Sequence, residues 1–436
     1  MSFIRNASIL GFTQVLNLVL TLASRIVLSR LLGPASYGAF GAASNAMTVS
    51  SRVLSLGTAS ATQYYSSKTA VARSAVVGTS LGLAGIVGLL SLGGTFLLLK
   101  PLESWFFSAH PSGMQAVMLM AWSMPLIVIA MNLGVMLVPF GNVRAYSILQ
   151  LIAGSTFVIP CLILVRFMPP LQAAAWAQVV VWSSVFLCTF WFLRRDLKSL
   201  QWSTPVAGQL MRFGLASWPN VCLNIGIASF STLFGARYLS PEQLSVFVLA
   251  MNIVDGLFGP HVAMGQLVLS KSAGEEELAQ PKVMQLMRVS VGLFAGLFVA
   301  VAVLGGVVIP FVFGAGFASS YPVCLALLAT GASHALLKTM ANAFAGAGRP
   351  GLTTFALAVE VSSLIGLLSW WGVYGIWGVV AASVVAAVLG WGIALAQMCK
   401  LYGVSPSKLV WPRRMDWTEF RSRLRKSRRV EVKRAA

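Results

Sequence analysis

Five charged side chains interrupt long apolar runs: Arg25, Arg52, Asp255, Lys338 and Glu360. At the centre of a membrane helix each costs roughly 2.5–3.5 kcal/mol on insertion scales, so the set costs on the order of 10 kcal/mol or more if left unpaired. Such residues are retained where they are used. Three of the five are cationic, and His334 stands one helical turn before Lys338 on the same side. The chemistry they offer is recognition of an anion, because bases supply charge-assisted hydrogen bonds to phosphate or carboxylate oxygens. Asp255 and Glu360 leave two readings open: structural ion pairs with those bases, or coupling to a proton or sodium gradient. No metal site and no cofactor is expected, since the five cysteines fall one to an apolar run with no CxxC pair and no His at ligand spacing.

Uncharged polar residues extend the pattern. At 100° per residue, Gln14, Asn17, Thr21 and Arg25 share an arc of about 80°. Asn45, Thr48, Arg52 and Ser55 form a second stripe, Ser217, Asn220, Asn224 and Ser231 a third, and Asn252, Asp255 and Gln266 a fourth. Lipid does not tolerate such faces, so they predict a helix interface or a water-filled cavity. His261 falls opposite the fourth stripe and reads as a packed residue.

The elements that must carry these stripes follow from composition. The chain has 436 residues, 57% of them hydrophobic and only 10% charged, with a mean hydropathy of +0.82. Soluble chains carry roughly 25% charged residues. A formal charge of +20 suggests nucleic acid only where a soluble basic face exists, and none is available here. Because backbone groups go unsatisfied in lipid, apolar runs of about 20 residues must be spanning helices. Twelve such runs lie between residues 8 and 399, the second at about 38–61, the fourth at 114–140 and the fifth at 145–165. Alternate connections hold 12 Lys and Arg against four on the others, which places both termini in the cytoplasm.

The chain also repeats itself. A shift of 207 positions superposes Asn17 on Asn224, Ser24 on Ser231, Arg30 on Arg237, Leu32 on Leu239, Pro34 on Pro241, Phe40 on Phe247, Ala43 on Ala250 and Asn45 on Asn252. Aligned Asn, Arg and Pro are not a product of apolar bias. The expected architecture is therefore an all-α polytopic membrane protein of about 12 transmembrane helices in two six-helix lobes. The lobes are related by a pseudo-two-fold axis along the membrane normal, with a central cavity between them, as in transporters built from parallel repeats. The domains are expected at 1–199, 200–400 and, as a basic cytoplasmic tail, 401–436. Trp417, Phe420 and Leu424 recur at helical spacing in that tail among Arg421, Arg423, Arg425 and Lys426, a pattern suited to anionic lipid.

Between the first two runs stands RLLGPASYGAF, residues 30–40, with a duplicated counterpart RYLSPEQLSVF at 237–247. Gly33 suits a left-handed helix stop and Pro34 forbids further helix, so a tight hairpin is expected. Through Arg30, Leu32, Gly33, Pro34, Tyr37, Gly38 and Phe40, and through its duplicated twelve-span layout, the chain resembles the Wzx-type polysaccharide flippases of the multidrug/oligosaccharidyl-lipid/polysaccharide superfamily. That resemblance implies a bacterial inner-membrane protein, not an enzyme. It implies alternating access that moves an undecaprenyl-pyrophosphate-linked oligosaccharide, such as an O-antigen, capsule or exopolysaccharide repeat unit, to the periplasmic leaflet. Partners would be the polyprenyl-linked glycan, anionic lipids and polysaccharide polymerase machinery, with no nucleic acid. The lumen residues expected are Arg52, Lys338, Arg25, His334, Asn17, Asn45, Asn224 and Asn252. A cation-coupled multidrug or metabolite exporter and a peptidoglycan-precursor flippase of the same superfamily stay open. The exporter is disfavoured because such proteins commonly use an acid in the first spans, where this chain has Arg25.

Overall fold

The structure, a computed structural model, describes residues 3–67, 72–108, 110–155, 157–272, 276–346 and 350–411. The tail beyond residue 411, Lys68 and Arg349 lie outside the described residues, as do the side chains of Arg5, Gln14, Gln266, Lys271 and Lys282. The first half comprises α1 (Phe3–Leu54), α2 (Thr58–Ser66), α3 (Arg73–Leu102), α4 (Pro111–Ala121), α5 (Met124–Gly134), α6 (Val143–Ser155), α7 (Val158–Leu164) and α8 (Pro170–Leu193). The second comprises α9 (Thr204–Tyr238), α10 (Pro241–Ser272), α11 (Glu276–Phe313), α12 (Ser320–Gly346), α13 (Pro350–Trp371) and α14 (Ile376–Tyr402), followed by the short α15 (Pro406–Val410). No strand occurs among the described residues, and the helices form the two-lobed bundle that the duplication predicts.

Eight of the described helices are long and apolar enough to cross a membrane, or nine if the bent pair over Pro111–Ala121 and Met124–Leu137 is one span. The polar-striped α9 and α10 are not among them, and α1 counts once although it contains the first two predicted runs. It breaks at Gly33, where φ is 68° and ψ 174°, a conformation glycine enters without steric cost. Beyond the break the chain doubles back, since Asn17 and Arg25 of the first limb share one cavity with Phe40 and Thr48 of the second.

Two predicted runs prove discontinuous. The run expected at 38–61 ends at Leu54, and positive φ at Leu56 (51°) and Gly57 (69°) separates it from α2. The run at 114–140 bends by 56° between α4 and α5, just before Pro125, whose ring cannot continue a straight helix. The polar connection between the halves is not free either. Arg73 pairs with Asp196 at 2.7 Å, and the Ser203 backbone N–H donates to Thr79 Oγ1 at 3.0 Å, so the approach to α9 is fastened to the first lobe.

The lobes meet tightly at the end of the bundle that carries the 30–40 turn. A Cβ on Gly38 would stand 2.7 Å from the Ser245 backbone nitrogen, and one on Gly41 would collide with the Val248 side chain. Backbone of α1 thus lies directly on α10. Buried Tyr37 meets Phe317 edge-on with ring centroids 5.7 Å apart, and its hydroxyl accepts a hydrogen bond from Asn252 Nδ2 at 3.1 Å. Exposed Arg30 donates through Nε to the Val312 carbonyl at 2.9 Å and through Nη2 to the Phe311 carbonyl at 2.7 Å, capping the C-terminal end of α11 with positive charge. The turn residues Arg30, Gly33, Pro34, Tyr37 and Gly38 are therefore more than hairpin chemistry: four of them touch the other lobe, Pro34 doing so opposite Gly316. Gly33 supplies the reversal.

Overpacking such a contact costs about 1–3 kcal/mol. Gly38→Val is expected to lower the thermal unfolding temperature of the detergent-solubilised protein. Gly85→Ala, on α3 with open space around the new methyl, is expected to leave it unchanged or raise it slightly.

Candidate functional site: a polar cavity at the lobe interface

Residues of the first, second and fourth stripes converge on one cavity, whereas the third stripe, Ser217, Asn220, Asn224 and Ser231, does not line it and α9 contributes Ser229 instead. A cavity of about 510 Å³ is walled by Asn17, Arg25, Asn45 and Thr48 of α1, Gln150 of α6, Gln178 of α8, Ser229 of α9 and Asn252 and Asp255 of α10. Both lobes contribute. The Asn17 side-chain oxygen is buried without a hydrogen-bond partner, and it faces the α6 backbone at Gly154, where a Cβ would overlap it.

A second chamber of about 350 Å³ lies within the first lobe, walled by Arg52, Ser123, Tyr146 and Trp182 among others. Ser44, Thr48, Gln150, Ala153 and Gln178 border both chambers. The two chambers share this wall, with Arg25 lining one and Arg52 the other. Among the described residues neither guanidinium has an ion-pair partner. Arg52 is exposed and Arg25 half-buried, so neither charge is sealed in a dry interior, where it would be prohibitive.

The other predicted residues divide. Lys338 is exposed and borders neither chamber, but its charge acts on Asp255 together with those of His334 and Arg25. Asn224 is exposed and donates to the Asn220 carbonyl at 2.9 Å, beside the cavity rather than on its wall. Glu360 takes the pairing reading with an unforeseen partner: its Oε1 lies 2.6 Å from His334 Nε2, not beside Arg52 or Lys338. The carboxylate is buried, at 2% exposure, and its Oε2 has no partner. Gly390 packs against it, leaving room that a side chain would fill. His261 is a packed residue, held by Thr339 Oγ1 at 3.0 Å and Ser290 Oγ at 3.2 Å. The five cysteines are unpaired, and no group of three metal-ligating side chains occurs among the described residues.

Reading charged residues and the stripes of the first two runs of each half overlooked the wall that α6 and α8 supply. Tyr146, Gln150, Gln178 and Trp182 carried a weaker signal: two lone amides inside otherwise apolar runs.

No model of a protein family matches the chain, and no curated protein matches it in sequence. Solved structures do match its fold. An inward-facing multidrug-resistance MATE transporter of the MOP superfamily superposes with a TM-score of 0.71 at 16% identity, covering 89% of this chain and 96% of that one. The lipid II flippase MurJ, in an inward closed conformation, gives 0.72 at 13% identity over 93% of this chain and 89% of its own. A MOP-superfamily transporter from Pyrococcus furiosus, described as having a binding pocket of reversed polarity, gives 0.63 at 14% identity over 91% and 96%. The fold is that of MATE and MurJ transporters. At these identities the likeness carries the architecture and leaves the cargo to the residues of the cavity.

Removing one partner of a buried pair strands the other, a loss of about 3–5 kcal/mol. His334→Ala is therefore expected to lower the unfolding free energy by about that amount, and Glu360→Gln in the same chain to restore much of it. Thermal unfolding in detergent measures both.

Proposed function

We propose that this chain moves an undecaprenyl-pyrophosphate-linked oligosaccharide from the cytoplasmic to the periplasmic leaflet of the bacterial inner membrane by alternating access, and that it is not an enzyme. The observation that carries this reading is the pair of guanidiniums, Arg25 in the cavity at the lobe interface and Arg52 in the adjoining chamber of the first lobe. A pyrophosphate headgroup is the cargo such a pair suits, because each phosphate oxygen accepts charge-assisted bonds, which offset the desolvation of the cations as it binds. Lys338 and His334, which border neither chamber, complete the lumen set in this reading, His334 being held by Glu360. Asn17, Asn45 and Asn252 serve as neutral donors along the path, and Asn224 beside it.

In this reading the lobes are residues 1–199 and 200–400, and 401–436 is a basic tail held against anionic lipid. Both termini are cytoplasmic, so the Arg30–Phe40 turn forms the periplasmic closure. Delivery of cargo to polysaccharide polymerase machinery would follow its opening. The similarity to a lipid II flippase supports a lipid-linked cargo and keeps a peptidoglycan precursor within the same reading.

A second reading, a cation-coupled exporter, is favoured by one observation: Asp255 borders the same cavity as Arg25. The two differ in the sign of the cargo. Arg25→Ala combined with Arg52→Ala is expected to abolish surface glycan and strand lipid-linked repeat units in the inner leaflet, with protein level in the membrane unchanged. Wild-type glycan in that variant would remove the flippase reading. Loss of drug resistance in Asp255→Asn, with glycan intact, would establish the exporter.

A further inference from the structure

The chamber within the first lobe has a composition that selects its ligand. Arg52 is its single cation, and no acid stands among its described lining residues. A cationic ligand would meet unopposed positive charge there, so the occupant is neutral or anionic.

Its hydrogen-bonding groups divide into spent and unspent. Thr48 donates to the Ser44 carbonyl at 2.8 Å, Ser51 to Thr48 at 3.0 Å and Ser123 to Met120 at 2.6 Å, so these hydroxyls offer the chamber only acceptor lone pairs. The side chains of Gln150, Gln178 and Tyr146 hydrogen-bond to no described residue. Each amide is both a double donor and an acceptor, and the phenol is both at once. The Trp182 ring adds a flat apolar wall. Together these groups demand a ligand that presents hydroxyl donors and acceptors around its rim and an apolar C–H face on one side, which describes a sugar ring. A polyprenyl chain or an apolar drug would leave both amides unpaired, at the usual cost of about 1–3 kcal/mol for each group buried without a partner. The volume of about 350 Å³ lies at the small end of ligand sites, roughly 300–1,000 Å³, and suits a headgroup rather than a lipid tail.

We propose that this chamber is a saccharide subsite. Resting on the function proposed above, it receives the sugar nearest the lipid while the pyrophosphate lies at the shared wall between Arg25 and Arg52. Gln178 and Gln150, which border both chambers, grip the ring edge. Trp182 covers its face. Arg52 reaches the glycosyl phosphate oxygen or a sugar carboxylate.

The test uses the full chain in lipid nanodiscs and compares binding of four probes by native mass spectrometry. They are bare undecaprenyl pyrophosphate and the same lipid carrying one N-acetylglucosamine, one galactose or one glucuronate. Wild type is expected to bind at least one glycosylated probe about tenfold more tightly than the bare lipid, a difference of about 1.4 kcal/mol. Trp182→Ala is expected to erase most of that preference and Tyr146→Phe to reduce it, each leaving bare-lipid affinity unchanged because both residues line only the inner chamber, which also shows that the variants fold. Equal binding of all probes by wild type, or a preference that survives both substitutions, would overturn the subsite and leave the flippase reading standing. Failure to bind any of the four would overturn both.

Discussion

A guanidinium at the depth of the hydrocarbon core must be paired or kept wet, and Arg25 and Arg52 are unpaired among the described residues. The rest of the molecule is arranged around that demand. They stand on polar walls because the polar faces of α1 and α10 turn inward against one another, and that turn leaves the apolar faces outward. Leu89, Leu90, Leu97, Phe167, Val307 and Phe311 are among the exposed large side chains of the surface, which in lipid is the favourable place for them.

A wet cavity between two lobes opens the molecule unless the lobes are fastened elsewhere. At one end the fastening is backbone on backbone, Gly38 against Ser245, reinforced by Tyr37 with Asn252 and by Arg30 on the end of α11. At the other, the Trp218 indole donates to the Val53 carbonyl at 2.7 Å and Tyr64 stacks on Phe213 with centroids 4.5 Å apart. The lobes touch at both ends with the polar space between, a closed arrangement. Both seals bring backbone against backbone: at the second end a Cβ on Gly57 would collide with the Gly214 carbonyl oxygen, beside the aromatic stack and the indole hydrogen bond. Alternating access needs each to part in turn without unfolding a helix.

Much of this was legible in the residues. Asn17, Asn45 and Asn252 with Arg25 and Asp255 announced a shared face because helical periodicity is rigid, and the cavity bears that out. Gly33 and Pro34 announced the reversal because their backbone chemistry leaves few alternatives. The partner of Glu360 was not legible: pairing with His334 depends on how α12 and α13 are rotated, which no local pattern encodes. The breaks near Leu56 and after Trp122 carried local signals in Gly57 and Pro125, but runs read for length and hydropathy pass over them. Tyr146, Gln150, Gln178 and Trp182 were missed because their pattern is short: Tyr146 and Gln150 stand one turn apart on α6, Gln178 and Trp182 one turn apart on α8, and only the packing of those helices against α1 gathers them into one wall.

The central claim is that the polar space carries an anionic headgroup, and its most direct measure is leaflet transfer in proteoliposomes. Fluorescent undecaprenyl pyrophosphate and fluorescent undecaprenol are scored side by side, with dye quenching at the outer leaflet as the readout. The account predicts that purified protein accelerates transfer of the pyrophosphate lipid and not of the neutral alcohol, and that added inorganic pyrophosphate slows it by competing for Arg25 and Arg52. Equal acceleration of both lipids, or transport of a cationic drug with no movement of either, would contradict it.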